Sequence, residues 1–278
     1  MPSLPLGVPT DINKYFFNRT KELINFHSFI NTLNQDVANQ ILVTGQRGVG
    51  KSFLLKKLIE EVPSNILTAY LDISNIYGIQ KGNLTEEKIM YAMFEEMNKG
   101  IEKESDILSK VYNIGIEIKN KINNKDFDFK DAGSILGISI PNVTDNYEKL
   151  SKFVMEYPQK VVESSEGKIK GFVIIIDEFQ FIGELKNPEA FFWMFRSFTQ
   201  EQDNVCYIFT GSTSSTSDIV KIINGNDGAF GNRMIRLNID PFTKKKLKGI
   251  LKQKYPKSHL QWRDLKDFTV VLEDIPHI

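Results

Sequence analysis

One cysteine in 278 residues leaves no disulfide framework within the chain, and that residue, Cys206, lies inside an apolar, β-rich run. Imidazole is nearly as scarce. His27, His259 and His277 are scattered and match no metal-ligand spacing, so neither a zinc site nor a Ser/His/Asp triad has support. No apolar run approaches the ~18 residues of a membrane-spanning helix, and the N-terminus lacks the pattern of a secretion signal. The expectation is a soluble, cytoplasmic protein with no membrane partner. Net charge is absent too: 35 basic residues balance 35 acidic ones, so the molecule as a whole does not attract nucleic acid by charge. Internal repeats and low-complexity tracts are missing. What remains is a chain with 41% hydrophobic residues, enough for one sizeable α/β core.

Residues 45–52 read Gly-Gln-Arg-Gly-Val-Gly-Lys-Ser, a complete G-x-x-x-x-G-K-[ST] phosphate loop. The β-branched run Ile41-Leu42-Val43-Thr44 precedes it, and Phe53-Leu54-Leu55-Lys56-Lys57-Leu58-Ile59 follows with helical spacing. Strand, glycine loop and helix thus arrive in the order such a loop requires. Gly45, Gly48 and Gly50 let the backbone turn tightly, so that the N–H groups of the stretch Gly45, Gln46, Arg47, Gly48, Val49, Gly50, Lys51, Ser52 and Phe53, with the positive helix end, surround phosphates. Lys51 would sit on the β and γ phosphates as a point charge, and the Ser52 hydroxyl would ligate Mg²⁺. The implied ligand is a nucleoside triphosphate with its magnesium ion.

A second element supports that reading. Gly171-Phe172-Val173-Ile174-Ile175-Ile176 is a run that only a strand covered on both faces tolerates, and it ends in Asp177-Glu178. Carboxylates at the C-terminal end of a buried parallel strand stand where such a sheet presents its ligands. Asp177 would hold the Mg²⁺, through water, and Glu178 would orient and polarise an attacking water. A kinase that passes the phosphoryl group to a bound substrate has no need of that second carboxylate, so Asp-Glu favours an ATPase. A third strand, Val205 to Thr210, opens into Gly211-Ser212-Thr213-Ser214-Ser215, and Ser212 and Thr210 are the candidate hydroxyls for sensing the γ-phosphate or sharing the catalytic water.

With these motifs in order, the chain resembles the archaeal ATPase family of STAND-type, AAA+-related P-loop NTPases. Two further segments carry the resemblance: Phe16-Phe17-Asn18-Arg19-Thr20-Lys21-Glu22-Leu23, similar to an N-terminal box, and Gly228 to Arg233 followed by Ile235 to Phe242, similar to a segment with an arginine, a short strand and a Pro-Phe step into a lid. The resemblance implies an α/β three-layer sandwich with a central, mainly parallel sheet and a short helical C-terminal lid fragment. It also implies Mg-dependent ATP hydrolysis, with Arg19 contacting the nucleotide or its hinge, and Arg233, in cis or from a neighbouring subunit, as an arginine finger. An ion pair with a nearby acidic residue is the plainer role for Arg19, and Arg236 competes with Arg233. Gln180 completes an Asp-Glu-x-Gln step and would help place the water. ATP over GTP rests on the resemblance as well. A finger in trans requires a homo-oligomer.

The expected organisation is a core over residues 1–240 with a polar, turn-rich insertion at about 123–145, then the start of a helical lid at 241–278, with a family winged-helix part apparently missing. Pro241 to Lys257 holds seven lysines and no acidic residue, so residues 244–257 read as a lid helix with a basic outer face, a solvated surface in the first place and a phosphate-contacting patch on DNA in the second. Between the two phosphate-site segments, Asn65 to Ile73 reads as a strand ending in Asp72, Thr85 to Met97 as a helix, and Ile107 to Ile122 as a helix with an apolar packing stripe. Ile135 to Ile140 suggests a short strand or hairpin arm, and Tyr147 to Val162 a helix broken near Pro158. Pro188 to Gln200, with Phe191, Phe192, Trp193, Phe195 and Phe198, reads as an aromatic packing face. Three uses of the nucleotide stay open: a hydrolase that drives a conformational change, a slow switch acting on a protein partner, and a DNA-associated loader of the replication-initiator kind.

Overall fold

Three of the apolar runs are too hydrophobic to face water on either side, and the fold buries them together. The structure is a computed structural model that describes residues 12–16, 19–102, 112–113, 116, 133–134, 136–140 and 146–243. Its sheet contains β1 (Ile41–Thr44), β2 (Ile66–Asp72), β3 (Gly171–Asp177), β4 (Val205–Thr210) and β5 (Ile235–Asn238) in the order β2-β3-β4-β1-β5. Every pairing is parallel. Parallel strands need crossovers, and the crossovers supply helices that cover both faces.

Those helices are α1 (Ile12–Tyr15), α2 (Thr20–Asn31), α3 (Lys51–Glu61), α4 (Ile73–Ile79), α5 (Glu86–Glu102), α6 (Asn146–Ser164), α7 (Pro188–Thr199) and α8 (Thr213–Asn224). On one face, Val43, Val173, Ile175, Cys206 and Ile208 meet Phe26 and Ile30 of α2 and Leu54, Leu55 and Leu58 of α3. On the other, Leu42, Ile174, Ile176, Tyr207 and Phe209 meet α5, α6 and α7. The expected three-layer sandwich is therefore the observed one. Strand alternation assigns the layers: successive residues of β3 point to opposite faces, and both faces are dry.

Several local expectations need correction. The helix before β3 is not broken near Pro158; α6 runs from Asn146 to Ser164 with the proline inside it. An interior proline costs about 3 kcal/mol. The same helix buries Phe153, Val154, Tyr157 and Val161, and at about 1.5–3 kcal/mol for each large side chain that burial exceeds the cost. Nor is there a strand at 136–140. Gly133, Ser134 and Leu136 are helical, Gly137 turns left-handed at φ 69°, and the Ile138 N–H reaches back to the Gly133 carbonyl at 2.8 Å. That is a helix C-terminus closed by glycine, with Ile138 as the apolar residue beyond it.

Helix α7 buries Phe191, Phe192 and Phe195, with Phe195 packed edge-on against Tyr207 and Phe209. Trp193, however, is 43% exposed and faces Arg196 rather than the core. One residue of helical rotation from Phe192 takes it off the buried stripe. The packing stripe at 107–122, the bulk of the 123–145 insertion and the lid with its lysines at 244–257 lie outside the described residues.

Burial sets the chemistry of the single thiol. Cys206 sits in the middle strand of the sheet, and desolvation pushes it from the ordinary value near 9 up to about 12. At pH 8 the folded protein is expected to resist Ellman's reagent and to release one equivalent of thiol only on unfolding. Labelling of native protein at the rate of a free thiol would contradict this packing.

Candidate nucleotide site

Parallel register gathers the site before any side chain is considered. Asp72 pairs with Asp177, Asp177 with Thr210, and Thr210 with Val43, so these residues form one row across four strands. The row ends at β1, whose next residues are Thr44 and the loop 45–50. Alternation puts Asp177, Thr210 and Val43 on the face covered by α3. The carboxylate and hydroxyl therefore overlook the N-terminus of that helix.

The loop's glycines have separate reasons. Gly48 and Gly50 adopt left-handed φ values of 84° and 90°, and Gly50 is the residue from which α3 starts. At Gly45 the reason is crowding, since a Cβ there would stand 2.4 Å from the Ile239 carbonyl oxygen just beyond β5. Gln46, Arg47 and Gly48 are exposed, whereas Val49 is buried beneath them. Phe53, on the first turn of α3, stacks on Phe16 with ring centroids 5.7 Å apart.

Lys51 is only 7% exposed. Its Nζ donates to the carbonyls of Gly45 at 2.9 Å and Gln46 at 3.0 Å, folding the side chain back over the loop. Burial lowers its pKa, and the Glu178 and Asp177 carboxylates work against that shift by favouring the ammonium. An ammonium that lies in the loop, partly desolvated and faced by two carboxylates, is suited to exchange carbonyl partners for phosphate oxygens.

Asp177 is 2% exposed and hydrogen-bonded at both oxygens: Oδ1 accepts the Glu178 N–H at 2.9 Å, and Oδ2 accepts the Tyr70 hydroxyl. Glu178 itself has φ 54°, a left-handed conformation that costs a side-chain-bearing residue about 1–3 kcal/mol. Gln180 Nε2 donates to its carboxylate and keeps it aimed. Gln180 comes in over Gly211, where an ideal Cβ would stand 2.5 Å from Gln180 Oε1. Gln180 Oε1 and Thr210 Oγ1 are both buried without a hydrogen-bond partner among the described residues, an unfavourable state that a ligand or water would relieve. Ser212 is buried at the N-cap of α8, two residues beyond Thr210.

The remaining candidates lie elsewhere. Arg19 is 5% exposed; it donates to the Val49 carbonyl at 3.0 Å and the Asp240 carbonyl at 2.8 Å, pairs with Glu22 at 2.8 Å, and lies 4.1 Å over the Phe242 ring. It ties the loop's backbone to the start of α2 and to the chain leaving β5, which combines the hinge and ion-pair roles that its sequence position suggests. Arg233 is exposed and precedes β5, whose Ile235 aligns with Ile41 at the start of β1. At about 3.3 Å per strand residue that sets it more than about 13 Å below the loop, on the opposite edge of the sheet. A finger in cis is therefore not assembled, because parallel pairing puts the segment before a strand at the wrong end. Arg236 donates to the Asn224 carbonyl and is likewise outside the group.

Sequence reasoning missed Tyr70. It aligns with Ile175, two residues before Asp72, so its ring lies on the α3 face and its hydroxyl reaches Asp177. Burial first, and then the Asp177 charge, push that hydroxyl well above its ordinary pKa, so it remains a neutral donor. Asp72, by contrast, is occupied as a helix cap, accepting from the Ser74 and Asn75 N–H groups.

Among the described residues no cluster of three or more His, Cys, Asp or Glu side chains gathers. Mg²⁺ bound with a nucleotide needs no such cage, because phosphate oxygens and waters supply most of its shell. Ser52 in the first turn of α3 and Asp177 at the end of β3 are oxygen donors that fit that requirement.

Comparison with known proteins agrees with this architecture. The model of a family described as an ATPase domain predominantly from Archaea matches residues 16–272. An ATP-binding protein of Methanocaldococcus jannaschii, itself uncharacterised, is 24% identical over 208 residues, which cover 72% of this chain and 46% of that protein. The chain thus spans about half the length of that relative. A Walker-type ATPase of Pyrococcus abyssi superposes with a TM-score of 0.58 at 20% identity, covering 92% of this chain and 63% of the other. The Aeropyrum pernix ORC1 protein in complex with DNA gives 0.50 at 11% identity over 90% and 52%, and Drosophila ORC bound to DNA gives 0.53 at 13% over 89% and 49%. At these identities the solved structures share the fold.

The Arg19 joint is open to a stability test. Arg19→Ala strips two carbonyls and an aromatic ring of their cationic partner and is expected to cost about 2–4 kcal/mol in chemical denaturation. Arg19→Lys recovers only part of this, since an ammonium lacks the fork that serves both carbonyls. Wild-type stability in the alanine variant would contradict the joint.

Proposed function

Because the chain belongs to the family of ATPase domains found predominantly in Archaea, we propose that it binds Mg·ATP against residues 45–53 and hydrolyses the β–γ phosphoanhydride. The observation that carries this reading is the row Asp177–Thr210–Val43, which sets a carboxylate and an unpartnered buried hydroxyl beside the phosphate loop and Lys51.

In this reading the N–H groups of the loop and the positive end of α3 receive the phosphates. Lys51 leaves the Gly45 and Gln46 carbonyls for the β and γ phosphate oxygens. Ser52 and Asp177 would hold Mg²⁺, which when bound neutralises charge on the phosphate oxygens. Glu178, held by Gln180, orients a water for in-line attack on the γ phosphorus and takes up its proton as the bond to the bridging oxygen breaks. The bridging oxygen leaves with the electron pair as part of ADP. Thr210 and Ser212 face the γ-phosphate side, and the empty acceptor of Gln180 gives the attacking water a second partner.

In this scheme Arg233 serves as a finger from a neighbouring copy, a reading supported by its place before β5, at the end of the strands away from the loop. A homo-oligomer follows, with the finger of one chain completing the next chain's site. DNA is the second reading, favoured by two DNA-bound neighbours of the same fold and by the lysines at 244–257. A slow switch acting on a protein partner, in the manner of STAND-type proteins, differs from both in turnover.

Steady-state phosphate release from Mg·ATP separates these uses. Glu178→Gln is expected to keep ATP binding and to lose about 10²–10⁴-fold in turnover. Duplex DNA added to wild type raises the rate if the protein is a loader and leaves it unchanged if it is a switch. Equal phosphate release by wild type and Glu178→Gln, with ATP bound to both, would overturn the hydrolase assignment.

A further inference from the structure

Tyr70 has no chemical step in the proposed hydrolysis, yet its hydroxyl touches the carboxylate that would hold the metal. It donates to Asp177 Oδ2. Asp177 Oδ1 is meanwhile held by the Glu178 N–H at 2.9 Å. One hydroxyl from β2 therefore fixes the orientation of a ligand from β3.

The tyrosine itself has little room to swing away. Its backbone is locked in the β2–β3 ladder opposite Ile175, and its ring lies under Lys56, whose Nζ is 5.5 Å from the ring centroid. The ring packs with the core between the sheet and α3. A hydroxyl carried on such a brace is preorganised, and this is what a hydrogen-bond partner of a metal ligand must be if it is to tune affinity.

We propose that Tyr70 is a positioning residue for the nucleotide's metal, its hydroxyl holding the Asp177 carboxylate in the orientation that receives the metal's water shell. The inference rests on the Mg·ATP reading above. Hydrogen-bond partners of metal-holding groups typically account for about 10–100-fold in metal affinity. Asp177 retains its bond from the Glu178 N–H when the tyrosine hydroxyl is removed, so the effect falls at the low end, about tenfold.

The test uses Tyr70→Phe, which keeps the ring and removes only the hydroxyl, with thermal melts to follow folding. Affinity for a fluorescent ADP is measured in EDTA and in Mn²⁺, and bound Mn²⁺ is counted independently by electron paramagnetic resonance. The expected result is unchanged metal-free affinity, an approximately tenfold smaller gain on adding Mn²⁺, and no further loss when Tyr70→Phe is placed on an Asp177→Asn background. An undiminished metal-dependent gain would overturn the inference. So would an equal loss with and without metal, which marks a packing role, or a further loss on the Asp177→Asn background. Wild type that binds no nucleotide under either condition would overturn the ATP reading and this inference with it, whereas the other failures leave the ATP reading standing.

Discussion

The parallel pairing of β3 with β4, and of β4 with β1, is the constraint from which the site follows. Once Ile174 to Ile176 are buried on both faces, β3 can meet a ligand at its ends, and its carboxylates stand at the C-terminal one. The ladder brings Asp177, Thr210 and Val43 to that edge at the same height. The loop 45–50 leaves from there and α3 begins within reach of the carboxylate. A shift of one residue between β3 and β4 would turn Asp177 to the far face, since strand side chains alternate. The dry core thus fixes the register that the chemistry uses.

Around that row the chain accepts conformations and contacts that are unfavourable without a ligand. Glu178 is held left-handed, Lys51 is desolvated and bonded to the carbonyls of its own loop, and the Thr210 hydroxyl and Gln180 carbonyl are buried without partners among the described residues. Each is individually small, on the order of 1–3 kcal/mol. All lie by the same end of the strands, where a nucleotide and its waters would give the polar groups among them new partners. Arg19 then links the loop's Val49 carbonyl to the chain beyond β5, so movement of the loop is mechanically joined to the segment that leads out of the core.

Legibility in the sequence followed how local each signal was. The phosphate loop could be read because its glycines, lysine and serine are contiguous, and β3 because its hydrophobicity admits no other placement. Pro158 misled because a local penalty was weighed without the tertiary burial that exceeds it. Ile135 to Ile140 misled because an apolar run of that length fits a helix end as well as a strand, and the Gly137 turn was the signal that decided it. Tyr70 stayed hidden for a different reason. Its role depends on the β2–β3 register, which places a residue two positions before Asp72 beside a carboxylate more than a hundred residues later. Arg233 shows the reverse failing, since its motif context was legible while its height on the sheet was not.

The most direct measurement is a crystal structure with a non-hydrolysable ATP analogue and Mn²⁺, with the metal located by its anomalous scattering. The account expects a manganese peak between the Ser52 hydroxyl and the Asp177 carboxylate, with Lys51 Nζ moved from the Gly45 and Gln46 carbonyls onto the β and γ phosphates. Nucleotide bound elsewhere, or Lys51 still on those carbonyls with a nucleotide in place, would contradict it.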